Sequence, residues 1–292
     1  MTRPALAATR EELAALLTPA RSAGRSVGLV PTMGALHAGH TALMHTARAE
    51  VGDGPVVVSV FVNPLQFGPG EDLDRYPRTM EADLALCAAA GVDVVFAPSV
   101  GEVYPGGVGA PGVTVEPGPL ATILEGASRP GHFRGVLTVV AKLFGLVDPD
   151  LAVFGQKDYQ QLALIRRMVT DLCLGVEVVG AETVREPDGL ALSSRNRYLD
   201  PGQRQQAAVL SQALRAAQDA TPAGPEAVLK AAWAELDGEP EVEVDYLAVT
   251  ATDLSELPDV VLPGTEGRAM VAARIGTTRL IDNLPLTFVG TT

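Results

Sequence analysis

The 292 residues are enough for two domains or one large one, and a hydrophobic content of 47% supports a real core. A formal charge of −13 with a sequence pI of about 4.7 argues against a broad nucleic-acid-binding face, yet allows a local basic pocket for a small anion. Met1 to Arg10 lacks the apolar stretch of a secretory signal, and the longest apolar candidate, Gly135 to Val147, is broken by Lys142.

The opening segment carries a capping box, Thr9 with Glu12, and Pro19 is expected to kink or end the helix that follows. Short β-branched runs recur at Val27–Val30, Val56–Val62, Val92–Ala97, Leu151–Phe154 and Val176–Val184. Their lack of polar alternation suits parallel strands buried on both faces. Between them, Thr79 is placed to cap a helix to about Ala90, with Leu84, Cys87 and Ala88 on one side and Gly91 as a stop. A second helix is predicted from Tyr159 to Leu174, with Leu162, Ile165, Val169 and Leu172 inward. The two cysteines, Cys87 and Cys173, fall in apolar helical patterns and read as buried thiols of a cytoplasmic protein. Gly106 to Pro119 reads as a loop.

The texture changes after about Val184. Asp200-Pro201 opens a helix to about Ala220, and a second ends near Gly238. Glu241 to Ala248 alternates, with Val242, Val244, Tyr246 and Ala248 on one face and Leu247 on the other. Ala269–Ile275 and Arg279–Leu284 pair as a hairpin through Gly276-Thr277. The pattern is α/β: a doubly wound parallel sheet over residues 1–183, and a smaller α+β domain over residues 184–292.

The segments with chemical content fall at the ends of the predicted strands. Met33, Gly34, Ala35, Leu36, His37, Ala38, Gly39 and His40 follow the first run and lead into a helix. Unpaired N–H groups and the positive dipole end at a helix start suit a phosphate, and glycine allows close approach. A Gly-rich turn with two surface histidines accounts for the same residues. Gln66, after the second run, suits a small polar substrate or a solvated turn. Arg129, His132 and Arg134 make a local positive cluster in an acidic chain, which an anion site or a surface loop explains. Lys157 in Gly155-Gln156-Lys157-Asp158 is within reach of a triphosphate, and Asp158 with Gln161 has the spacing of a capping pair. Leu192-Ser193-Ser194-Arg195 offers hydroxyls and a guanidinium on a mobile loop, suited to phosphate oxygens, though ordinary loop composition is the better account of these residues read alone.

Together these segments resemble the pantothenate synthetase (pantoate–β-alanine ligase) family of the nucleotidylyltransferase superfamily. The likeness rests on residues 31–40, 61–67, 76–79, 129–135, 154–161 and 193–199, which stand in the family's order and are spread over about two-thirds of the chain. It implies ATP-dependent condensation of pantoate with β-alanine through a pantoyl adenylate, a Rossmann-like N-terminal domain, a smaller C-terminal lid domain, a homodimer and Mg²⁺. By the same resemblance, residues 33–40, Gly155 to Asp158, Val184 and Leu192 to Arg195 form the ATP site. His37, His40, Lys157 and Arg195 take catalytic roles there, with His40 as the acid that assists phosphate departure. Gln66, Gln161 and Arg129 would contact pantoate or β-alanine. Two positions depart from the family: Leu192 replaces a usual Met, and Ala82-Asp83 stands where many members pair two acidic residues, leaving Asp83 as the metal-ligand candidate. The competing functions are a different nucleotidylyltransferase and a nucleotide sensor that has lost turnover.

Overall fold

A computed structural model of the chain describes residues 3–68, 73, 76–109, 112–258 and 260–289. The chain separates into two compact units, Met1–Gly155 with Leu164–Ala181, and Gln156–Ala163 with Glu182–Thr292. The second unit thus takes in 156–163, which the expected boundary at 183/184 assigned to the first. The cause is local: Gln156, Lys157 and Tyr159 hydrogen-bond to residues of the C-terminal third.

In chain order the first unit contains β1 (Ala5–Ala7), α1 (Arg10–Ser22), β2 (Gly28–Thr32), α2 (Ala38–Val51), β3 (Val56–Val60), α3 (Met80–Ala89) and β4 (Val94–Phe96). Two short helices, α4 (Val100–Val103) and α5 (Glu125–Ser128), precede α6 (His132–Val147), β5 (Leu151–Gly155) and β6 (Glu177–Ala181). Helix α7 (Tyr159–Asp171) links the last two strands. The sheet order is β1-β4-β3-β2-β5-β6, parallel at every pairing. Strand β1 escaped the sequence pattern because Ala5-Leu6-Ala7 is too short and too weakly β-forming to register. The loop reading of Gly106 to Pro119 holds for its described residues up to Gly118, Pro119 opens a short 3-10 turn, and 110–111 lie outside the described residues.

Chain order runs from β2 outward to β3 and β4, then returns to the other side of β2 with β5 and β6. The reversal point lies between β2 and β5, where open α/β sheets bind ligands beyond the carboxyl ends of the strands. On one face, Leu43, Met44, Ala47 and Val51 of α2 and Leu84 and Cys87 of α3 bury against Val30, Val56, Val58 and Val153. Met44 alone, fully buried, contributes roughly 1.5–3 kcal/mol. Pro19 does not end α1, which continues to Ser22. Buried Leu13, Leu17 and Ala20 and a bond from Arg21 to the Val147 carbonyl outweigh the one missing N–H. Cys173, with φ of 53°, and Leu172 are exposed, because α7 ends at Asp171 before their expected inward turn.

The second unit holds α8 (Pro201–Ala207), α9 (Val209–Asp219), α10 (Pro225–Leu236) and an antiparallel sheet β7-β8-β9 (Val242–Ala251, Glu266–Ile275, Thr278–Thr287). The single helix expected to Ala220 is broken at Ala208, whose N–H tightens onto Gln205 O. Strand β7 carries a bulge between Val244 and Tyr246. One extra residue there reverses the faces, so Leu247 packs on the core beside Val249 instead of facing water.

Helix α6 approaches the turn after β3 so closely that a side chain at Gly135 has no room: a Cβ would lie 2.1 Å from Leu65 O. Gly135→Ala is therefore expected to destabilise the chain by about 1–3 kcal/mol, read as a fall in melting temperature. An unchanged melting temperature would show that this contact yields freely.

Candidate functional site

Strand β2 ends at Thr32, and the chain then makes two successive left-handed residues, Gly34 (φ 81°) and Ala35 (φ 51°). The second is unfavourable for a residue with a Cβ and must be held by its surroundings. Asp83 on α3, 2% exposed, holds it. Its Oδ2 accepts from Ala35 N at 3.1 Å and its Oδ1 from Leu36 N at 2.9 Å and Thr79 Oγ1 at 3.1 Å. Thr32 Oγ1 accepts from Gly34 N at 3.2 Å and donates to Ser59 O at 2.7 Å.

This arrangement corrects two expectations. Thr79 gives α3 no side-chain cap, because its hydroxyl is turned to Asp83. Asp83 does not fit a metal ligand, since both of its oxygens, buried within the fold, already receive donors from the loop and from Thr79. Among the described residues no group of three or more His, Cys, Asp or Glu is placed to hold a metal ion. Burial and then the nearby Asp83 charge push the Cys87 thiol up to about 12, so it stays protonated and inert.

The clamp delivers the chain to His37, the N-cap of α2. His37 Nδ1 accepts from Gly39 N at 3.1 Å, and His40 Nδ1 accepts from His37 N at 3.2 Å. The rings are 4.1 Å apart between centroids. Backbone N–H groups only donate, so both Nδ1 atoms carry a lone pair and each neutral ring bears its proton on Nε2. A proton on either Nδ1 would break the cap. Imidazoles thus do here what Ser, Thr or Asp usually do at a helix start. Met33, Ala38 and Gly39 complete the turn, with Ala38 exposed and Leu36 buried.

Gln66, half-buried in the turn Pro64–Gln66 after β3, is fixed on both sides. Asn63 Nδ2 donates to Gln66 Oε1 at 3.1 Å and to Gly135 O at 3.1 Å, while Tyr104 Oη donates to Asn63 Oδ1 at 2.8 Å. Gln66 Nε2 lies 3.2 Å from Met33 Sδ, so the amide is oriented with its N–H₂ away from Asn63. Burial raises the Tyr104 phenol well above its ordinary value, keeping it a donor. The Gln66 carbonyl accepts from His132 Nδ1 at 2.8 Å, and Arg129 Nη1 lies 3.1 Å from His132 Nε2. A carbonyl cannot donate, so His132 carries its proton on Nδ1, the opposite tautomer to His37 and His40. Arg129 therefore braces Gln66. Asn63, Tyr104 and the bracing role of His132 were not legible in sequence, because their partners are 41 to 72 residues away.

In the second unit, Gln156, Lys157 and Asp158 form a single 3-10 turn that continues the chain from Gly155 at the end of β5. Asp158 is exposed, Lys157 and Gln161 half-buried. Val184 and Leu192 are joined by a hydrogen bond from Leu192 N to Val184 O at 2.9 Å, closing a small hairpin with the Arg185–Ala191 bridge. Ser193 caps the 3-10 turn Ser194–Tyr198 by accepting from Arg195 N at 3.3 Å, and Arg195 is exposed. Asn196 anchors this loop through Glu186 Oε1 at 3.0 Å and Ala191 O at 3.1 Å.

In the first unit, a parallel sheet with a histidine-capped helix start at its switch point is the architecture of a nucleotide-binding type of α/β protein. Comparison with known proteins narrows that class. The family model for pantoate-beta-alanine ligase matches residues 5–285. The pantothenate synthetase of a Nocardioides species is 70% identical over 97% of this chain and 85% of its own length. That of Mycolicibacterium smegmatis is 56% identical over 94% of this chain and 85% of its own. Among solved structures, pantothenate synthetase from Thermus thermophilus superposes with a TM-score of 0.86 at 52% identity, covering 96% of this chain and 98% of that one. The Francisella tularensis pantoate-beta-alanine ligase gives 0.76 at 34% identity, covering 96% and 97%. The chain belongs to the pantoate–β-alanine ligase family, and its reaction is the formation of pantothenate from pantoate and β-alanine.

Asp83→Asn turns one acceptor into a donor facing a loop N–H or the Thr79 hydroxyl. A loss of about 1–3 kcal/mol and a lower turnover are expected, and raising Mg²⁺ should restore neither. Recovery of activity by excess Mg²⁺ would make Asp83 a metal ligand after all.

Proposed function

We propose that this chain activates pantoate as an adenylate, with the triphosphate of ATP received at the histidine-capped start of α2. The observation that carries this reading is the pair of Nδ1 atoms occupied by backbone N–H groups, which fixes both protons on Nε2. The Francisella tularensis relative, whose crystal structure is a complex with β,γ ATP and β-alanine, supports it.

A carboxylate resists attack by an amine because its oxygen is a poor leaving group and its charge repels nucleophiles. Transfer of AMP onto pantoate supplies a stable leaving group. Pantoate's carboxylate oxygen attacks the α-phosphorus in line, the bond to pyrophosphate breaks, and the amine of β-alanine then displaces AMP from the acyl carbon. No protein nucleophile is required. His37 and His40 donate Nε2–H bonds to oxygens that gain charge as pyrophosphate leaves, and Lys157 adds a positive charge. Pyrophosphate is a stable anion at neutral pH, so hydrogen-bond donation by His40 suffices and full proton transfer is unnecessary.

Ser193, Ser194 and Arg195 close over the phosphates, as part of a C-terminal lid that also keeps water from the adenylate. Residues Met33 to Gly39, Gly155, Gln156, Asp158, Val184 and Leu192 line the nucleotide. Gln66 offers its amide to pantoate and β-alanine, with Gln161 and Arg129 also toward pantoate. Mg²⁺ enters as part of the nucleotide substrate, held by phosphate oxygens, because Asp83 does not fit it. The active form is a cytoplasmic homodimer. None of the described helices is long and apolar enough to cross a membrane.

Purified protein given ATP, Mg²⁺, pantoate and β-alanine is expected to yield AMP and pantothenate in equal amounts; absence of both refutes the reading. His40→Ala and Lys157→Ala should each lower pantoate-dependent pyrophosphate–ATP exchange by about 100- to 1,000-fold; the melting temperature should hold in Lys157→Ala and fall modestly in His40→Ala, which loses about 0.5–2 kcal/mol of helix cap. Near-normal exchange in either would remove that residue from its role. Gln66→Ala should raise the KM for pantoate or β-alanine, and unchanged kinetics for both would retire the assignment.

A further inference from the structure

The C-terminal third holds the turn that bears Lys157. Asn283 on β9 and Arg268 on β8 are each 4% exposed. Asn283 Nδ2 donates to Gln156 O and to Lys157 O, both at 2.9 Å. Arg268 Nη2 donates to Gln156 Oε1 at 2.6 Å, and its guanidinium lies 3.9 Å from the centre of the Tyr159 ring. The Tyr159 hydroxyl in turn donates to Thr252 O at 2.7 Å. The turn is thus held by its backbone from one strand and by side chains from the next.

Asn283 is itself fixed. Its N–H donates to Asp282 Oδ1 at 2.7 Å, and its carbonyl accepts from Arg185 Nη2 at 3.2 Å. Asp282, with a side chain 1% exposed, receives Arg185 Nη1 at 2.6 Å and Nη2 at 2.9 Å. The bidentate fork allows little rotation. The Asn283 Oδ1 atom is buried and accepts no hydrogen bond among the described residues. An orphaned acceptor of this kind destabilises a fold, and a leucine of similar size would avoid it. What the leucine lacks is two N–H donors spaced for two consecutive carbonyls.

We propose that Asn283, locked through Asp282 and Arg185, is a positioning residue for Lys157. Holding the carbonyls of Gln156 and Lys157 fixes the origin of a long, flexible side chain, so that its ammonium meets the phosphate charge without a search. The proposal deepens the functional reading above and rests on the phosphate role of Lys157.

The test compares wild type, Asn283→Leu, Asn283→Asp, Lys157→Ala and the double variant Lys157→Ala/Asn283→Leu. Pantoate-dependent pyrophosphate–ATP exchange, the KM for β-alanine, the melting temperature, and deuterium uptake by the 154–162 peptide are measured for each. Asn283→Leu is expected to slow exchange about 10- to 100-fold, leave the KM for β-alanine unchanged, and speed deuterium uptake in that peptide. In the Lys157→Ala background the same substitution should cost less than about threefold, because residues acting as one unit are not additive. Asn283→Asp, which places an oxygen against two carbonyls, should behave like Asn283→Leu if the leucine variant folds poorly. Wild-type exchange in a folded Asn283 variant, or losses that multiply in the double variant, would overturn the proposal. If the wild type itself shows no exchange, the functional reading fails, and deuterium uptake still decides whether Asn283 holds the turn.

Discussion

The Asp83 carboxylate, buried beneath the loop after β2, takes the amides of Ala35 and Leu36 and so sets where helix α2 begins. Without that clamp, Ala35 would relax from its positive φ, and His37 would leave the N-cap position. Everything at the front of the first unit follows from this placement. The imidazoles satisfy helix amides with Nδ1, which commits their protons to Nε2. A charge on the imidazoles is not needed for this cap, because a neutral Nδ1 lone pair is what accepts the amide.

The same device appears twice more with different chemistry. Gln66 is oriented by Asn63 on its side chain and by His132 on its carbonyl, and Lys157 by Asn283 on its carbonyl. In each case a residue with a proposed ligand contact is held through its own backbone or amide by a buried neighbour whose donors and acceptors permit one orientation. Such preorganisation removes reorganisation from the reacting step, which is where electrostatic stabilisation gains its effect.

Much of the first unit was legible because buried parallel strands read as unbroken apolar runs, as at Val56–Val58 in β3 and Leu151–Phe154 in β5. The histidine turn, Gln66 and the lysine turn were legible from their position after strands. What escaped depended on contacts across sequence. Asp83 read as a first-turn acidic residue because its partners lie 47 and 48 residues earlier. Leu247 was placed on the wrong face because a bulge leaves no mark in an alternating pattern. Asn283 lies 126 residues beyond the carbonyl of Lys157, in a strand with ordinary composition.

The account stands or falls on the protonation pattern of the paired imidazoles. Nitrogen-15 NMR of histidine-labelled protein at neutral pH reads it directly, and with only four histidines in the chain each signal is assignable by single substitution. Neutral rings with the proton on Nε2 at both His37 and His40, and on Nδ1 at His132, are the expected result. A proton on Nδ1 of either His37 or His40 would contradict the cap, and with it the donor geometry on which the proposed chemistry depends.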